Sequence, residues 1–275
     1  MSKSIKKLIL YLLVVLGMYA VFLFIDEVDL LKGEAPEIFV PNTVQEISIH
    51  DGEDTLLKEI TAKDKEDGDI TDKVFIKDIS EFNEKQERTV IYAVFDNNDN
   101  IAHGTRKIKY KDYEPPMLDL KKPLCYYYFN EYEELIKYLK ANSVIDGNLS
   151  DKIEIEKVEK TEDSDDGDEY CTFYVKDSCG GSDRLRVKLT EYNIEPYIRL
   201  ELSDYLIRVK KGTNINPRSY ISKIAYLGMN HNEWKDKVEI STDYNPNKEG
   251  TYEFVYTLEK QNGDYGLTKL VVIVE

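Results

Sequence analysis

A run of closely spaced acidic side chains is the strongest candidate for chemistry in this sequence. Its members are Asp64, Glu66, Asp67, Asp69 and Asp72. Ca²⁺ prefers about six to eight oxygen ligands, which such carboxylates can supply, but the spacing does not fit an EF-hand loop. Asp and Gly are also the residues that a tight turn requires. The sequence therefore favours a plain turn, and a Ca²⁺ site is the alternative.

Three consecutive tyrosines, Tyr126, Tyr127 and Tyr128, form the densest group among the 21 tyrosines of the chain. Aromatic faces stack on sugars and anchor protein interfaces, so this group could bind a ligand. Tyrosine is also a good strand former and is often half-buried. A structural role is the favoured interpretation, and a binding role is the alternative.

The remaining residue types with catalytic or redox chemistry form no recognisable site. The histidines are far apart, and the sequence has no zinc spacing, nucleophile elbow, P-loop or dinucleotide-binding pattern. We therefore expect no enzyme, and no cofactor other than the Ca²⁺ considered above. Cys171 falls at a predicted core position, which favours a buried thiol. A disulfide from Cys125 to Cys171 or Cys179 stays open, because sequence alone does not fix its geometry.

Repeated sequence blocks predict the elements that position these residues. Asp-Lys pairs at 72–73, 151–152 and 236–237 each precede an alternating apolar segment. A second block begins near residues 89, 170 and 252, and its alternate residues are apolar or aromatic each time. Alternation with period two is typical of a strand with one face on a core. The matches therefore predict three copies of one β-unit.

Proline-containing joints separate the predicted copies. Glu114-Pro115-Pro116 and Glu195-Pro196 each follow a predicted final strand, and proline ends strands and stiffens linkers. The predicted domains are residues 37–113, 114–194 and 195–275, each long enough for one β-sandwich core. The predicted fold class is therefore all-β, with three tandem sandwiches.

The segment before the first copy is expected to cross a membrane. Residues 8–25 carry no charged side chain, and a bilayer-spanning helix needs roughly 20 apolar residues. Lysines precede the run and acidic residues follow it, which keeps an N-terminus in the cytoplasm. We predict a cytoplasmic tail at 1–7, a transmembrane helix at 8–25, a stalk at 26–36 and extracellular copies on a single-pass protein of the cell membrane. A cleaved signal peptide is the alternative.

The charge balance limits the classes of partner. The chain has 37 basic and 53 acidic residues and a formal net charge of −16. Such a surface repels the phosphates of nucleic acids, so we expect no nucleic-acid partner. Cations and basic proteins remain compatible with this charge.

The segment AKDKEDGDITDKVFIKD at 62–78, with the Tyr-x-Val-x-Asp strand at 92–96, resembles the immunoglobulin-like domain of bacterial surface proteins, which is also found in insecticidal crystal toxins. The resemblance weakens towards the third copy, where residues 230–234 replace the Asp-Gly-Asp turn and Lys260 takes the place of Asp96. It implies small antiparallel sandwiches that serve display, spacing, adhesion or partner contact, without catalytic residues.

These observations lead to three functional hypotheses. The first is an array that displays or spaces a site, or that binds a protein or a cell-wall glycan. The second is an accessory subunit, tethered in the membrane, that binds an envelope enzyme or transporter. The third is a surface hydrolase, which would require a deep pocket with a perturbed carboxylate.

Overall fold

The computed structural model describes residues 3–31, 33–126, 132–160, 169–191 and 196–275. The chain forms two compact units, Met1–Tyr113 and Glu114–Glu275. Apart from an N-terminal helix and short helical turns, the described elements are strands. The chain is therefore all-β, with several sheets of the kind that form β-sandwiches.

The N-terminal helix α1 (Lys3–Leu31) corrects the prediction of a membrane anchor. Among the residues that the structure describes, no helix is long and apolar enough to cross a membrane. The predicted transmembrane helix at 8–25 is therefore wrong, and so is the predicted location as a single-pass protein of the cell membrane with extracellular copies.

The first unit contains two sheets, which we call the first sheet pair. Its strands are β1 (Glu37–Phe39), β2 (Gln45–Ile47), β3 (Thr61–Asp64), β4 (Gly68–Asp69), β5 (Phe75–Ile79), β6 (Arg88–Phe95) and β7 (Ile101–Tyr110), and a short helix α2 (Glu53–Leu56) lies between β2 and β3. One sheet has the order β1-β3-β4 and the other has the order β2-β7-β6-β5. The β2–β7 pairing is parallel, whereas the other pairings are antiparallel.

The second sheet pair lies in the second unit and has the same arrangement. Its strands are β8 (Met117–Leu120), β9 (Cys125–Tyr126), β10 (Leu139–Ser143), β11 (Gly147–Asn148), β12 (Glu154–Lys160), β13 (Glu169–Lys176) and β14 (Ser182–Glu191). The sheets have the orders β11-β10-β8 and β12-β13-β14-β9, and β9 pairs with β14 in parallel. Short 3₁₀ helices cover Tyr132–Tyr138 and Ser150–Lys152.

The third sheet pair follows the same scheme in the second unit. Its strands are β15 (Ile198–Leu202), β16 (Leu206–Val209), β17 (Ile221–Tyr226), β18 (Met229–Asn230), β19 (Glu239–Thr242), β20 (Gly250–Glu259) and β21 (Tyr265–Val274). The sheets have the orders β15-β17-β18 and β16-β21-β20-β19, with β16 parallel to β21. Short 3₁₀ helices cover Pro217–Tyr220 and Asn232–Lys237.

Alternate residues of the long central strands form the cores, as the period-two pattern predicts. In β6, Val90, Tyr92 and Val94 are fully buried, in a cluster drawn from both sheets of the first pair. The matching positions of β13 and β20 are buried as well: Cys171, Phe173, Val175, Phe254, Tyr256 and Leu258. Each large apolar side chain buried in this way stabilises its sheet pair by about 1.5–3 kcal/mol.

The second and third sheet pairs share apolar surface within the second unit. Strand β21 is buried on both faces, because Leu270 and Val272 belong to the core of the third pair and Val271 packs, with Leu206, in the core of the second pair. The predicted joint at Glu195-Pro196 falls at the edge of residues 192–195, which lie outside the described residues. The division of the chain into three domains therefore stays a prediction.

A polar link accompanies this apolar contact. The guanidinium of Arg208 on β16 donates a 2.7 Å hydrogen bond to Asp183 and a 3.3 Å bond to the carbonyl of Leu118. Both acceptors belong to the second sheet pair. The link helps to fix the third sheet pair against the second.

Candidate functional site

The predicted acidic cluster lies at the turn between β3 and β4 of the first sheet pair. The carboxylate of Asp64 accepts 2.8 Å hydrogen bonds from the main-chain N–H groups of Glu66 and Asp67. Asp69 accepts a 3.0 Å bond from the N–H of Thr71, which lowers its pKa together with the Thr71 hydroxyl. These two acids therefore close the turn itself, as Asp residues commonly do.

The other acids reach the loop between β6 and β7. Asp67 accepts 2.7 Å bonds from the main-chain N–H and the side-chain amide of Asn97. Glu66 accepts a 3.2 Å bond from Asn98. From the 3₁₀ helix, Lys73 donates a 2.8 Å bond to the side-chain oxygen of Asn97. The turn and the loop are thus joined by a closed network of carboxylates and amides.

These contacts bear on the Ca²⁺ hypothesis. Within the described part of the chain, no group of three or more His, Cys, Asp or Glu side chains is arranged to hold a metal ion. Asp72 lies in the 3₁₀ helix Thr71–Lys73, and the carboxylates of Asp64, Asp67 and Asp69 already accept main-chain N–H groups. The contacts support the turn interpretation, and a Ca²⁺ site stays an untested alternative.

The loop between β6 and β7 is closed by Asp96, which is 5% exposed. Its carboxylate accepts 2.8 Å bonds from the N–H groups of Asn98 and Asn100, and a 2.7 Å bond from the Asn100 amide. Burial raises the pKa of Asp96, but these hydrogen bonds and the charge of Lys73 lower the pKa by more, so the net shift is downward. The loop therefore holds an ionised carboxylate.

The second sheet pair repeats this network with other side chains. Asp146, in the turn between β10 and β11, accepts 2.7 Å bonds from the N–H and the hydroxyl of Ser178. The Ser178 N–H is the largest cause of a lowered pKa at Asp146. Asp177, also 5% exposed, accepts 2.9 Å bonds from the N–H groups of Cys179 and Gly181. Turn and loop are again joined through carboxylates.

The third sheet pair keeps the main-chain bonds of the turn but changes its side chains. The N–H of His231 donates to the carbonyl of Ile224 on β17 at 2.7 Å. In the other pairs this bond is made by Ile70 and Leu149, which are buried apolar residues. A histidine therefore stands where the first two sheet pairs bury an aliphatic side chain.

The loop between β20 and β21 also keeps its main-chain bond but carries a different side chain. The N–H of Lys260 donates to the carbonyl of Asp264 at 2.8 Å, which is the loop-closing bond that Asp96 and Asp177 make in the other pairs. The carboxylate that caps the loop in those pairs is therefore replaced by an ammonium group.

The substituted residues meet in what we call the aromatic–lysine cluster, formed by Tyr226, His231, Trp234, Lys260 and Asp264. Lys260 Nζ lies 3.8 Å from the ring centroid of Tyr226 and 5.1 Å from that of Trp234. The rings of His231 and Trp234 are stacked, with centroids 4.1 Å apart and an interplanar angle of 13°. The Tyr226 hydroxyl donates a 2.6 Å bond to Asp264 and is the largest cause of a lowered pKa there. Cation–π attraction and ring stacking thus accompany a single carboxylate, Asp264, which still joins the loop to Tyr226.

Within the described residues, one ring nitrogen of the cluster has no hydrogen bond and its lysine has no ion pair. His231 Nδ1 lies 2.8 Å from Glu233, but His231 Nε2 is buried without a hydrogen bond. Lys260, which is half-buried, forms no ion pair in the part of the chain that the structure describes. The cluster therefore has hydrogen-bonding and charge capacity that the chain itself does not use.

Large apolar side chains project beside the cluster. Leu227 and Met229, at the turn between β17 and β18, are 71% and 61% exposed. Leu227 has a positive φ of 48° and Gly228 has a φ of 80°. A positive φ is unfavourable for a leucine, so the turn holds this apolar side chain in solvent at an energetic cost. We call Leu227 and Met229 the hairpin tip.

The predicted tyrosine group falls largely outside the described residues. The main chain of Tyr126 lies in β9 and pairs with Glu191. Tyr127 and Tyr128 lie outside the described residues. A binding role for these tyrosines stays a prediction.

The cysteines are structural where the structure describes them. Cys171 is fully buried in the core of the second sheet pair, and burial raises the pKa of its thiol to about 12. Cys179 is buried as well. Only the main chain of Cys125 is described, paired with Thr190, so the disulfide that the sequence left open stays untested.

The sequence predicted the acidic turn but not the aromatic–lysine cluster. The relevant signal was the departure of the third copy, in which residues 230–234 replace the Asp-Gly-Asp turn and Lys260 replaces Asp96. Both departures lie in the same place in the fold. Taken together, they identify the cluster.

Comparison with known proteins gives one sequence relative. No protein-family model matches the chain. The chain is 30% identical over 130 residues to pesticidal crystal protein Cry22Aa from Bacillus thuringiensis, in an alignment that covers 46% of the chain and 17% of that protein. The chain thus spans less than a fifth of the length of this relative. This similarity does not assign the chain to a family.

Solved structures resemble the chain only at low scores. The M60 catalytic domain with CBM51-1 and CBM51-2 from Clostridium perfringens ZmpB has a TM-score of 0.23 at 12% identity, covering 87% of the chain and 30% of that structure. The protocadherin GammaB4 extracellular domain has a TM-score of 0.20 at 10% identity, covering 88% and 50%. Similarities this low carry no argument about function.

Proposed function

We propose that this chain is a non-catalytic binding protein, and that its third sheet pair contacts a protein partner through the aromatic–lysine cluster and the hairpin tip. One observation carries the proposal. The same turn and loop are closed on themselves by carboxylates in the first two sheet pairs, whereas the third presents aromatic rings, an ammonium group and exposed apolar side chains.

The chemistry of this surface favours a protein partner. Trp, Tyr and Met are enriched at the centres of protein interfaces, and a few such residues supply most of the binding energy. Leu227 and Met229 are the large apolar side chains that a partner would cover. Lys260 forms no ion pair among the described residues, so the partner supplies a carboxylate close to it.

Catalysis is not proposed for this surface. His231 contacts Glu233, but no hydrogen bond joins His231 to a Ser, Thr or Cys side chain in the described part of the chain. A nucleophile within hydrogen-bond reach of its base is the usual requirement for covalent catalysis. The crystal-protein relative supports a shared β-structure, and its alignment is too short to support a shared activity.

Peptide selection on the full chain tests the proposal. Phage-displayed random peptides selected on the chain should combine apolar and acidic residues, because these complement the hairpin tip and Lys260. The variants Trp234→Ala and Lys260→Ala should weaken the binding of a selected peptide by about tenfold, which corresponds to about 1.4 kcal/mol.

The matched control is Lys73→Ala in the first sheet pair. Lys73 and Trp234 occupy equivalent positions in their sheet pairs. The N–H of Lys73 donates to the carbonyl of Ile70, and the N–H of Trp234 donates to the carbonyl of His231. Lys73→Ala should leave peptide affinity unchanged. Retained binding by both cluster variants would refute the proposal. So would binding to a glycan array that is lost on Trp234→Ala, because the partner would then be a saccharide.

A further inference from the structure

The second compact unit contains a cavity of about 580 Å³ that the proposed function does not use. One wall comes from the second sheet pair and includes Lys121, Lys122 and Tyr138, and the other comes from the third sheet pair and includes Arg199, Glu201 and Tyr205. Small-molecule sites generally have volumes of about 300–1,000 Å³. The cavity is therefore large enough for a ligand the size of one or two sugar rings.

Basic side chains dominate the charged lining of this cavity. Lys121, Lys122 and Arg199 line it together with a single acidic residue, Glu201, in a chain whose net charge is −16. Within the described residues none of the three bases forms an ion pair, whereas the nearby Lys140 lies 2.8 Å from Asp119. Three unpaired cations at one concave site raise the local concentration of anions.

The uncharged lining suits a ring with an apolar face. Tyr138, Tyr205 and Leu267 line the cavity together with prolines 123 and 196. Aromatic and aliphatic walls cover the C–H face of a sugar, and tyrosine hydroxyls and a carboxylate can bind its hydroxyl groups. A simple inorganic anion would use the charges but not these walls.

A close approach of two strands builds one wall of the cavity. A Cβ atom at Gly266 on β21 would lie 2.5 Å from the carbonyl oxygen of Ile198 on β15. Only glycine permits this approach between the strands that carry Arg199 and Leu267, two of the lining residues. The wall is therefore fixed by the fold rather than formed by surface side chains alone.

We propose that this cavity is a binding site for a small sugar acid, with its carboxylate held by Lys121, Lys122 and Arg199. This site is separate from the aromatic–lysine cluster and does not depend on it. Calorimetric titration of the full chain with sodium D-glucuronate should show saturable binding. D-Glucose and sodium sulfate should each bind at least fivefold more weakly, because one lacks the charge and the other lacks the ring.

Variants of the lining residues test the geometry. Arg199→Glu and the double variant Lys121→Ala/Lys122→Ala should each weaken glucuronate binding by at least fivefold. Glu201→Gln should tighten it severalfold, because it removes the acidic charge of the lining while keeping a hydrogen-bonding amide. Misfolding could explain a loss of affinity but not a gain. Glu201→Gln therefore tests the site even if the other variants fold poorly.

The control is Lys248→Ala, which removes an exposed positive charge away from the cavity and should leave the affinity unchanged. Equal binding of glucose and glucuronate would overturn the proposal. So would equal binding of sulfate, or undiminished affinity in both lining variants with native circular dichroism spectra.

Discussion

The second and third sheet pairs differ in the side chains that join the turn and the loop at the corresponding end. In the second pair, carboxylates on the turn and the loop accept N–H groups, as Asp146 does from Ser178 and Asp177 does from Cys179. In the third pair, Lys260 lies over Tyr226 and Trp234 instead. The main-chain bonds are the same, so the scaffold itself does not require the carboxylates.

The first sheet pair shows that the direction of the lysine contact is also reversed. There, Lys73 extends from the 3₁₀ helix to Asn97 on the loop. In the third pair the lysine is on the loop and contacts Trp234 on the 3₁₀ helix. Carboxylate networks thus join turn and loop at two of the ends, whereas the third end joins them through Asp264, Lys260 and aromatic rings.

Removing the loop-capping carboxylate should cause the largest loss in the free energy of unfolding among the variants that test this comparison. Asp177→Ala leaves two N–H groups without their acceptor at a buried position, and we expect a loss of about 2–3 kcal/mol in the free energy of unfolding. Lys260→Ala, at the equivalent loop position, removes the cation–π contacts and a positive charge near Asp264, so we expect a loss of about 0.5–1 kcal/mol. Urea unfolding followed by the fluorescence of Trp234, the only tryptophan, measures both, because all three residues lie in the second unit.

Asp177→Asn is the conservative control for this pair. Its amide oxygen can still accept the two N–H groups, so most of the lost stability should return. Equal losses for Asp177→Ala and Lys260→Ala would show that the two loops are closed to the same degree, which contradicts the comparison.

A smaller and opposite effect is expected at the hairpin tip. Leu227 has a φ of 48°, and asparagine tolerates this left-handed conformation better than leucine. Leu227→Asn should therefore raise the free energy of unfolding by about 0.5–1 kcal/mol, while it weakens the binding of the selected peptide. Urea unfolding and peptide titration measure the two changes.

Met229→Asn provides the matched control for the hairpin tip. Met229 is similarly exposed, but it is not among the residues with positive φ. Its substitution should weaken peptide binding without a gain in stability. If Leu227→Asn did not raise the free energy of unfolding, the turn would not be strained. The inference that Leu227 serves contact with a partner would then be wrong.

The sequence predicted the buried faces of the strands, because alternation is a local property. The alternation of Val90, Tyr92 and Val94 was sufficient to place them in a core, which the structure confirms. It did not predict that β21 is buried on both faces. The continuous apolar run at 270–274 is compatible with burial on both faces. The second face is buried because it packs on the core of the second sheet pair, which no local pattern reports. The membrane prediction is wrong, because no helix among the described residues is long and apolar enough to cross a membrane.

The candidate site was predictable in position but not in chemistry. The sequence alignment set Asp236-Lys237 against Asp72-Lys73, whereas the main-chain bonds place Trp234 where Lys73 stands. The 3₁₀ helix of the third pair is longer, from Asn232 to Lys237, and this length hid the correspondence. The contact between Lys260 and Trp234 joins distant segments, which no local pattern reports.

The smallest expected effect is a difference in acid sensitivity between the two ends. The N–H of Ser178 holds the pKa of Asp146 below the usual aspartate value of about 3.9. A lowered folded-state pKa means that this contact contributes stability above the unfolded pKa and loses it as the pH falls through the folded pKa. The contact between Lys260 and Trp234 includes no carboxylate and should persist over this range.

Nuclear magnetic resonance measures this difference directly. Between about pH 5 and about pH 2.5, the amide resonance of Ser178 should titrate with a midpoint below about 3.9, and Asp146→Asn should abolish the titration. The indole N–H of Trp234 should keep its pH dependence in Asp146→Asn, because the carboxylate of its own cluster is Asp264, whose pKa the Tyr226 hydroxyl lowers. Loss of that pH dependence in Asp146→Asn would mean that both ends depend on the same carboxylate, and the contrast between them would fail.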